Sequence, residues 1–338
     1  MMNADGSQPH AIADIDRPIS ISWSPDGKTL AYFGFPMLAD LVPGFPPELS
    51  AQIAMGMQRA VDPRLYLLPL DGPSPPRLLT DRALGDFKWS PDGKWIAYLC
   101  HAKQDLSQSA IQLCLSATTP NGESKVLSEG VPRGRYSWSP DGAHLAYFTS
   151  SKSNFALYVA GADGATPRLL TETKGFPGEP EWSRDGRRIV FSGKESKKAA
   201  IFLINVDGSG KTRLTAPKLQ ASRPFWSPDG KQIAFAGGAH GEPQVYIEND
   251  DGSGVRELTH DKKIGCRTDA WIEESSLLLL QCGPRSNLSY MGVTNLNFYT
   301  LATDDPNSRP MQLTTGGAAG ISIAAVGESN EPSSKGSH

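Results

Sequence analysis

Four charged side chains stand at a fixed distance from a recurring tryptophan, and with a fifth one place earlier they could hold an anion. Counting back three residues from each tryptophan gives Ser20, Asp86, Arg135, Glu179, Arg223 and Thr268. Counting back four gives Ile19, Gly85, Gly134, Gly178, Ser222 and Arg267. A guanidinium donates two parallel hydrogen bonds to a carboxylate. Arg135, Arg223 and Arg267, with Arg133 close by, would therefore grip an acid, with Asp86 and Glu179 as counter-charges. The same residues have a second reading, an internal ring of salt bridges that plugs a channel. His101 and His240 fall on the same side of the repeat, and His260 lies in the loop entering the last one. One of them could act as acid or base beside the arginines; the alternative is a solvated loop histidine. His144 falls at the opposite end.

These positions are set by a repeat. Trp-Ser-Pro-Asp-Gly occurs at Trp23, Trp89, Trp138 and Trp226, with Trp-Ser-Arg-Asp-Gly at Trp182 and a degenerate copy at Trp271. The underlying period is about 44 residues, the size of one four-stranded propeller blade. Each unit reads as an inner strand ending in Trp-Ser, a tight Pro-Asp-Gly turn, and a second strand such as Ile96-Ala97-Tyr98. A third, aromatic strand follows, then an Asp-Gly turn, then a short strand ending in Leu-Thr, as from Tyr246 to Thr259. The expected fold is therefore all-β: a six-bladed β-propeller of four-stranded antiparallel blades, in which each blade's core is completed by the next. The inner strands line the channel, so the charged layer should ring its mouth, and the tryptophans should wedge between blades.

These motifs resemble the TolB-like β-propeller family with its WD40-like (PD40) repeats, over Ile19 to Thr314. The resemblance implies the propeller fold. Its functional range is broad: periplasmic scaffolds, propeller domains of prolyl peptidases, and lyases. No G-x-S-x-G nucleophile motif is visible here.

The largest departure from the period lies in blade 1, over residues 35–63. Glu48 to Ala60 reads as a short helix started by Pro46 and Pro47. Phe35, Met37, Leu38, Phe45, Met55 and Met57 would make the insert a lid over the mouth or a docking surface; otherwise it packs on blade 1 and only stabilises it. Residues 11–326 are expected to form one propeller domain, with flexible ends at 1–10 and 327–338. Gly320 to Val326 echoes Pro18 to Trp23 and could add a strand near the closure.

The net charge of −3 gives no electrostatic reason to expect nucleic acid or an anionic membrane as partner. The longest apolar run, Leu277 to Leu280, is strand-sized, and no signal peptide is visible, so the expected location is cytoplasmic. The four cysteines form no CxxC pair; neither metal nor cofactor is expected. Cys266 and Cys282 flank a hairpin and could form a disulfide, and otherwise all four are small buried apolar residues. The expected function is a binding or scaffold propeller that uses the insert-bearing face and channel mouth to hold a protein or small ligand. The alternative is an enzyme of lyase, isomerase, cyclase or hydrolase type acting there on a small, possibly anionic, substrate.

Overall fold

Ser-Pro-Asp-Gly and its Ser-Arg-Asp-Gly variant build the same turn five times. In each copy the serine hydroxyl donates to the aspartate carboxylate at 2.5–2.6 Å and accepts the N–H five residues on at 2.9 Å. The aspartate also accepts the N–H two residues ahead. The glycine closes the turn at φ of 68–71°, a conformation glycine adopts without a Cβ penalty. The turn thus carries its own hydrogen-bond partners and needs none from the rest of the chain.

A computed structural model describes residues 18–34, 63–72, 74–101, 111–132, 134–151, 154–164, 166–195, 198–238, 243–272, 275–284 and 296–314. Among these, the turns join antiparallel strands in consecutive sets of four. The first set is β1 (Pro18–Trp23), β2 (Thr29–Gly34), β3 (Arg64–Pro69) and β4 (Arg77–Thr80). The second is β5 (Ala83–Trp89), β6 (Trp95–His101), β7 (Ile111–Ala117) and β8 (Ser124–Glu129). The third is β9 (Tyr136–Trp138), β10 (His144–Ser151), β11 (Asn154–Gly161) and β12 (Arg168–Lys174). Next come β13 (Glu181–Trp182), β14 (Arg188–Glu195), β15 (Lys198–Asn205) and β16 (Thr212–Arg213). A single pair, Lys174 with Lys194, joins these last two sets into one sheet. Then follow β17 (Gln220–Trp226), β18 (Gln232–Gly238), β19 (Gln244–Asn249) and β20 (Arg256–Glu257). The last set is β21 (Ile264–Trp271), β22 (Leu277–Pro284), β23 (Asn297–Ala302) and β24 (Met311–Gln312). The fold is an all-β propeller, with no helix among the described residues.

The aromatic residues of the repeat meet across the second and third strands of their sets. Tyr32 stacks on Tyr66, Tyr147 on Tyr158, Phe191 on Phe202 and Phe235 on Tyr246, each a directly opposed pair, with ring centroids 5.1–5.8 Å apart. Such pairs are the unit of sheet stabilisation. The threonine ending the repeat accepts a main-chain N–H from the third strand, as Thr215 does from Ile201 and Thr259 from Val245.

The core lies between sets. Phe33 and Leu65 of the first pack with Ile96 and Tyr98 of the second, and the same holds at each following junction. The tryptophans bind these junctions directionally. Trp89 Nε1 donates to the carbonyl of Ser22, Trp138 to Lys88, Trp182 to Ser137 and Trp271 to Phe225, at 3.2–3.4 Å. The acceptor is always the residue before the preceding tryptophan. Trp226 departs from this rule: its Nε1 is buried and has no acceptor. Arg188 instead lies over its ring, 5.1 Å from the centroid.

The cysteines require a correction. All four are paired, Cys266 with Cys282 and Cys100 with Cys114. Cys266 lies directly opposite Cys282. Cys114 lies opposite Tyr98, in the place where other sets carry a second aromatic ring, and reaches Cys100 diagonally. The diagonal register made Cys100–Cys114 invisible to spacing alone.

The helix, lid and docking residues Phe35, Met37, Leu38, Phe45, Met55 and Met57, the closing segment 320–326 and both chain ends lie outside the described residues. The insert leaves at Gly34 and the chain resumes the sheet at Arg64, opposite one another, and Pro18 also pairs with Gly34. Its ends are thus on the face where the inner strand begins. No helix among the described residues is long and apolar enough to cross a membrane.

Candidate functional site

The charged layer falls where the inner strands break their ladder. The register of β5 shifts between Ala83 and Phe87, that of β17 between Ser222 and Phe225, and that of β21 between Thr268 and Ala270. Asp86, Arg223 and Asp269 sit in these irregularities, and bulges re-aim side chains. Gly85 precedes Asp86 with φ 89°, and Gly134 precedes Arg135 with φ 63°. A Cβ on Gly85 would lie 2.9 Å from the Phe33 ring, so only glycine fits there. Arg223 itself has φ 53°, a left-handed conformation that costs a non-glycine residue energy.

The carboxylates are engaged away from the arginines. Asp86 accepts the Gly134 N–H at 2.7 Å and the Tyr136 hydroxyl at 3.1 Å. Glu179 accepts Lys88, whose ammonium also donates to the Tyr136 carbonyl at 3.1 Å and lies 5.1 Å from that ring's centroid. Sets two, three and four are therefore laced together by Asp86, Lys88, Tyr136 and Glu179. Burial, reinforced by the Asp86 charge and hydrogen bond, drives the Tyr136 hydroxyl well above its usual range, so it acts as a donor.

The arginines are left with few partners. Among the described residues the Arg135 side chain donates only to the Gly134 carbonyl, at 3.3 Å, and its buried Nε has no acceptor. Its guanidinium lies 4.8 Å from the Phe176 ring centroid. Arg223 is exposed; its carbonyl accepts the Thr268 hydroxyl at 2.8 Å, and its guanidinium makes no hydrogen bond or ion pair among the described residues. Arg267 donates through Nε to Gln281 Oε1 at 3.0 Å, and Gln281 donates to Asp269 at 2.7 Å. Burial lowers the pKa of Arg135 and of Arg267, and the charge of Arg223 acts on both in the same sense, opposed by Glu179 and Asp86 at Arg135 and by Asp269 at Arg267. Arg135 and Arg267 nonetheless remain charged, because arginine does not lose its proton in proteins. Burial raises Asp269, against the opposing charges of Arg223 and Arg267. Ser20, in the same layer, has a buried hydroxyl without a partner.

One layer further along the inner strands lie residues that counting back three from tryptophan misses. Lys88 and Glu181 occupy the position just before their tryptophans, and counting back one would have found them. Glu181 is half-buried at the start of β13. Burial and the neighbouring Glu179 charge push its carboxyl well above the carboxylate range, with Lys88 opposing. Phe176 and Gln281 were also missed, the first because it belongs to the loop entering the inner strand, the second because it belongs to a second strand.

Neither His101 nor His260 bonds to this cluster among the described residues. The carbonyl of His101 accepts Arg82, and its Nδ1 is buried without a partner. No bond links it to the arginines among the described residues. His240 and Arg133 lie outside the described residues. His260 is exposed and 3.5 Å from Glu257. At the opposite end, a groove of about 600 Å³ is lined by Asp92, Lys94, Trp95, His144 and Arg168. Its Lys94 and Asp92 pair at 3.0 Å, so two of its charges satisfy each other.

The family model described as the TolB beta propeller domain matches residues 119–311, more than half of the chain. No curated protein matches the sequence. Among solved structures, oligogalacturonate lyase from Vibrio parahaemolyticus is similar at 15% identity and a TM-score of 0.54, covering 87% of this chain and 77% of the lyase. A putative dipeptidyl aminopeptidase IV from Bacteroides ovatus is similar at 12% identity and a TM-score of 0.60, covering 89% of this chain and 47% of the peptidase. A putative TolB from Agrobacterium tumefaciens is 23% identical, with a TM-score of 0.47, covering 71% of this chain and 79% of that one. At these identities the likeness is one of fold.

Proposed function

We propose, for a chain that belongs to the TolB β-propeller domain family, that its sets close as six blades and that the channel mouth binds the carboxylate of an acidic ligand. The ligand is a small acid or an acidic segment of a protein partner. One observation carries this reading: the charge of Arg223 acts on both Arg135 and Arg267, and no carboxylate among the described residues bonds to any of the three guanidiniums, Asp86 and Glu179 being held by Gly134, Tyr136 and Lys88. A ring of salt bridges filling the channel would instead pair each arginine with a carboxylate. A buried guanidinium nitrogen without an acceptor calls for a partner. Titration calorimetry with a tricarboxylate probe tests the reading. Binding that weakens at least about tenfold in Arg223→Ala, with unchanged melting temperature, supports it. Equal affinity in Arg135→Ala, Arg223→Ala and Arg267→Ala overturns it.

A second reading is an enzyme at the same mouth. Glu181 holds its proton beside the Lys88-paired Glu179, and a pair of carboxyls pushed apart in acidity is a recurring acid–base arrangement. Location is read in the same spirit. Two disulfides support an oxidising compartment, where the sequence alone suggests the cytoplasm.

A further inference from the structure

We propose that the acid held at the arginine mouth carries a flat aromatic group beside its carboxylate, and that this group stacks on Phe176. This deepens the anion-binding reading and rests on it. Phe176 is 61% exposed, although a ring of that size normally loses most of its surface on folding. Single exposed apolar residues are ordinary. What distinguishes Phe176 is its neighbour: the ring stacks with the guanidinium of Arg135, whose Nε is buried and lacks an acceptor.

The ring is presented by a fixed loop. Gly178 donates to the Ser192 hydroxyl at 2.8 Å, and Pro177 is buried. Gly175 has φ 68°, and a Cβ on Gly178 would lie 2.5 Å from Ser192 Oγ. Phe155 closes one side of the ring, edge-on, with centroids 5.3 Å apart. The corresponding positions, six before each tryptophan, are Ala83, Pro132, Gln220 and Gly265. No other copy from the second set on places an aromatic ring there.

The geometry links the two contacts. Arg135 spends one face on Phe176 and keeps donors at its edge. A carboxylate seated on those donors would bring any ring attached to it alongside Phe176. Offset or edge-on ring pairs at about 4.5–7 Å are favourable beyond the area they bury. Free aromatic acids and peptides ending in phenylalanine share this chemistry.

The test compares 3-phenylpropionate with hexanoate by calorimetry on the full chain, with Ala-Ala-Phe and its C-terminal amide as further probes. The expected result is phenylpropionate binding at least about fivefold tighter than hexanoate. Phe176→Ala should erase that preference, and Phe176→Tyr should restore it. Equal binding of the two acids, or a preference that survives Phe176→Ala, overturns the proposal while leaving anion binding intact, provided both acids still depend on Arg223. If neither acid depends on Arg223, the anion reading fails first. A peptide that binds tighter than phenylpropionate and is lost on amidation assigns the ligand to a chain terminus; the reverse order assigns it to a small acid.

Discussion

The ammonium of Lys88 on β5 is bonded to the carboxylate of Glu179, which enters β13 two sets further on. This pairing takes Glu179 away from Arg135, although the Glu179 charge acts on both Arg135 and Glu181. Lys88→Met should therefore free Glu179 to neutralise the arginine cluster. The expected outcome is roughly tenfold weaker binding of a carboxylate probe, about 1.4 kcal/mol. A double variant with Glu179→Gln should recover most of that loss, which calorimetry on the four-member cycle will read.

Glu248 gives a pH prediction. It is 1% exposed, both carboxyl oxygens lack partners, and burial raises it to about 7. The folded state keeps the proton up to that pH, while the unfolded chain releases it above about 4.3. Glu248 therefore removes stability progressively from about pH 4.5 to 7, on the order of 2–3 kcal/mol. It lies opposite Ile233, in the register where other sets place Leu68, Ala160, Ile204 and Leu301. Glu248→Leu should raise the denaturation midpoint at pH 8 and change it little at pH 4.5.

The turn aspartates act in the opposite sense. Hydrogen bonds from the turn serines and following N–H groups hold Asp26, Asp141 and Asp185 below their usual range. Their contribution is fully present above about pH 4 and is lost as pH falls through the lowered folded values. Acid titration followed by circular dichroism should show stability falling below about pH 4. Ser139→Ala should make that fall shallower.

The tryptophans should not be equivalent. Replacing Trp138 or Trp182 with phenylalanine removes an indole bond between sets; replacing Trp226 removes a buried donor that bonds nothing. Trp226→Phe should cost about 1 kcal/mol less than the other two in urea denaturation.

Both disulfides should be present in the isolated protein. Denaturation without reductant should expose no titratable thiol. Breaking either bridge by paired Cys→Ser substitution should cost about 3 kcal/mol in the chain-entropy account, given separations of 14 and 16 residues.

The repeat was legible because its bonds are local. Ser24 reaches Asp26 and Thr29, and the same short-range pattern recurs at Ser90, Ser139, Ser183 and Ser227. The layer containing Asp86, Arg135, Glu179, Arg223 and Arg267 was legible because it counts from the tryptophans. Its pairing was not. Lys88 meets Glu179, and Tyr136 meets Asp86, across set boundaries and through irregular strand starts that spacing does not encode. Phe176 was hidden in a loop with no periodic signal, and Cys114 by its diagonal reach to Cys100.

The tryptophan bonds all point backwards along the chain, from a later set to the one before it. The apolar seams obey the same order, each joining a set to its successor. A chain growing from its N-terminus can therefore lock each sheet as soon as the next inner strand emerges, without waiting for distant residues. Synthesis would then proceed as a run of short commitments, with one indole latching behind another. The seam before Trp226, where the latch is missing, is where a pause or a misfolded intermediate should first accumulate.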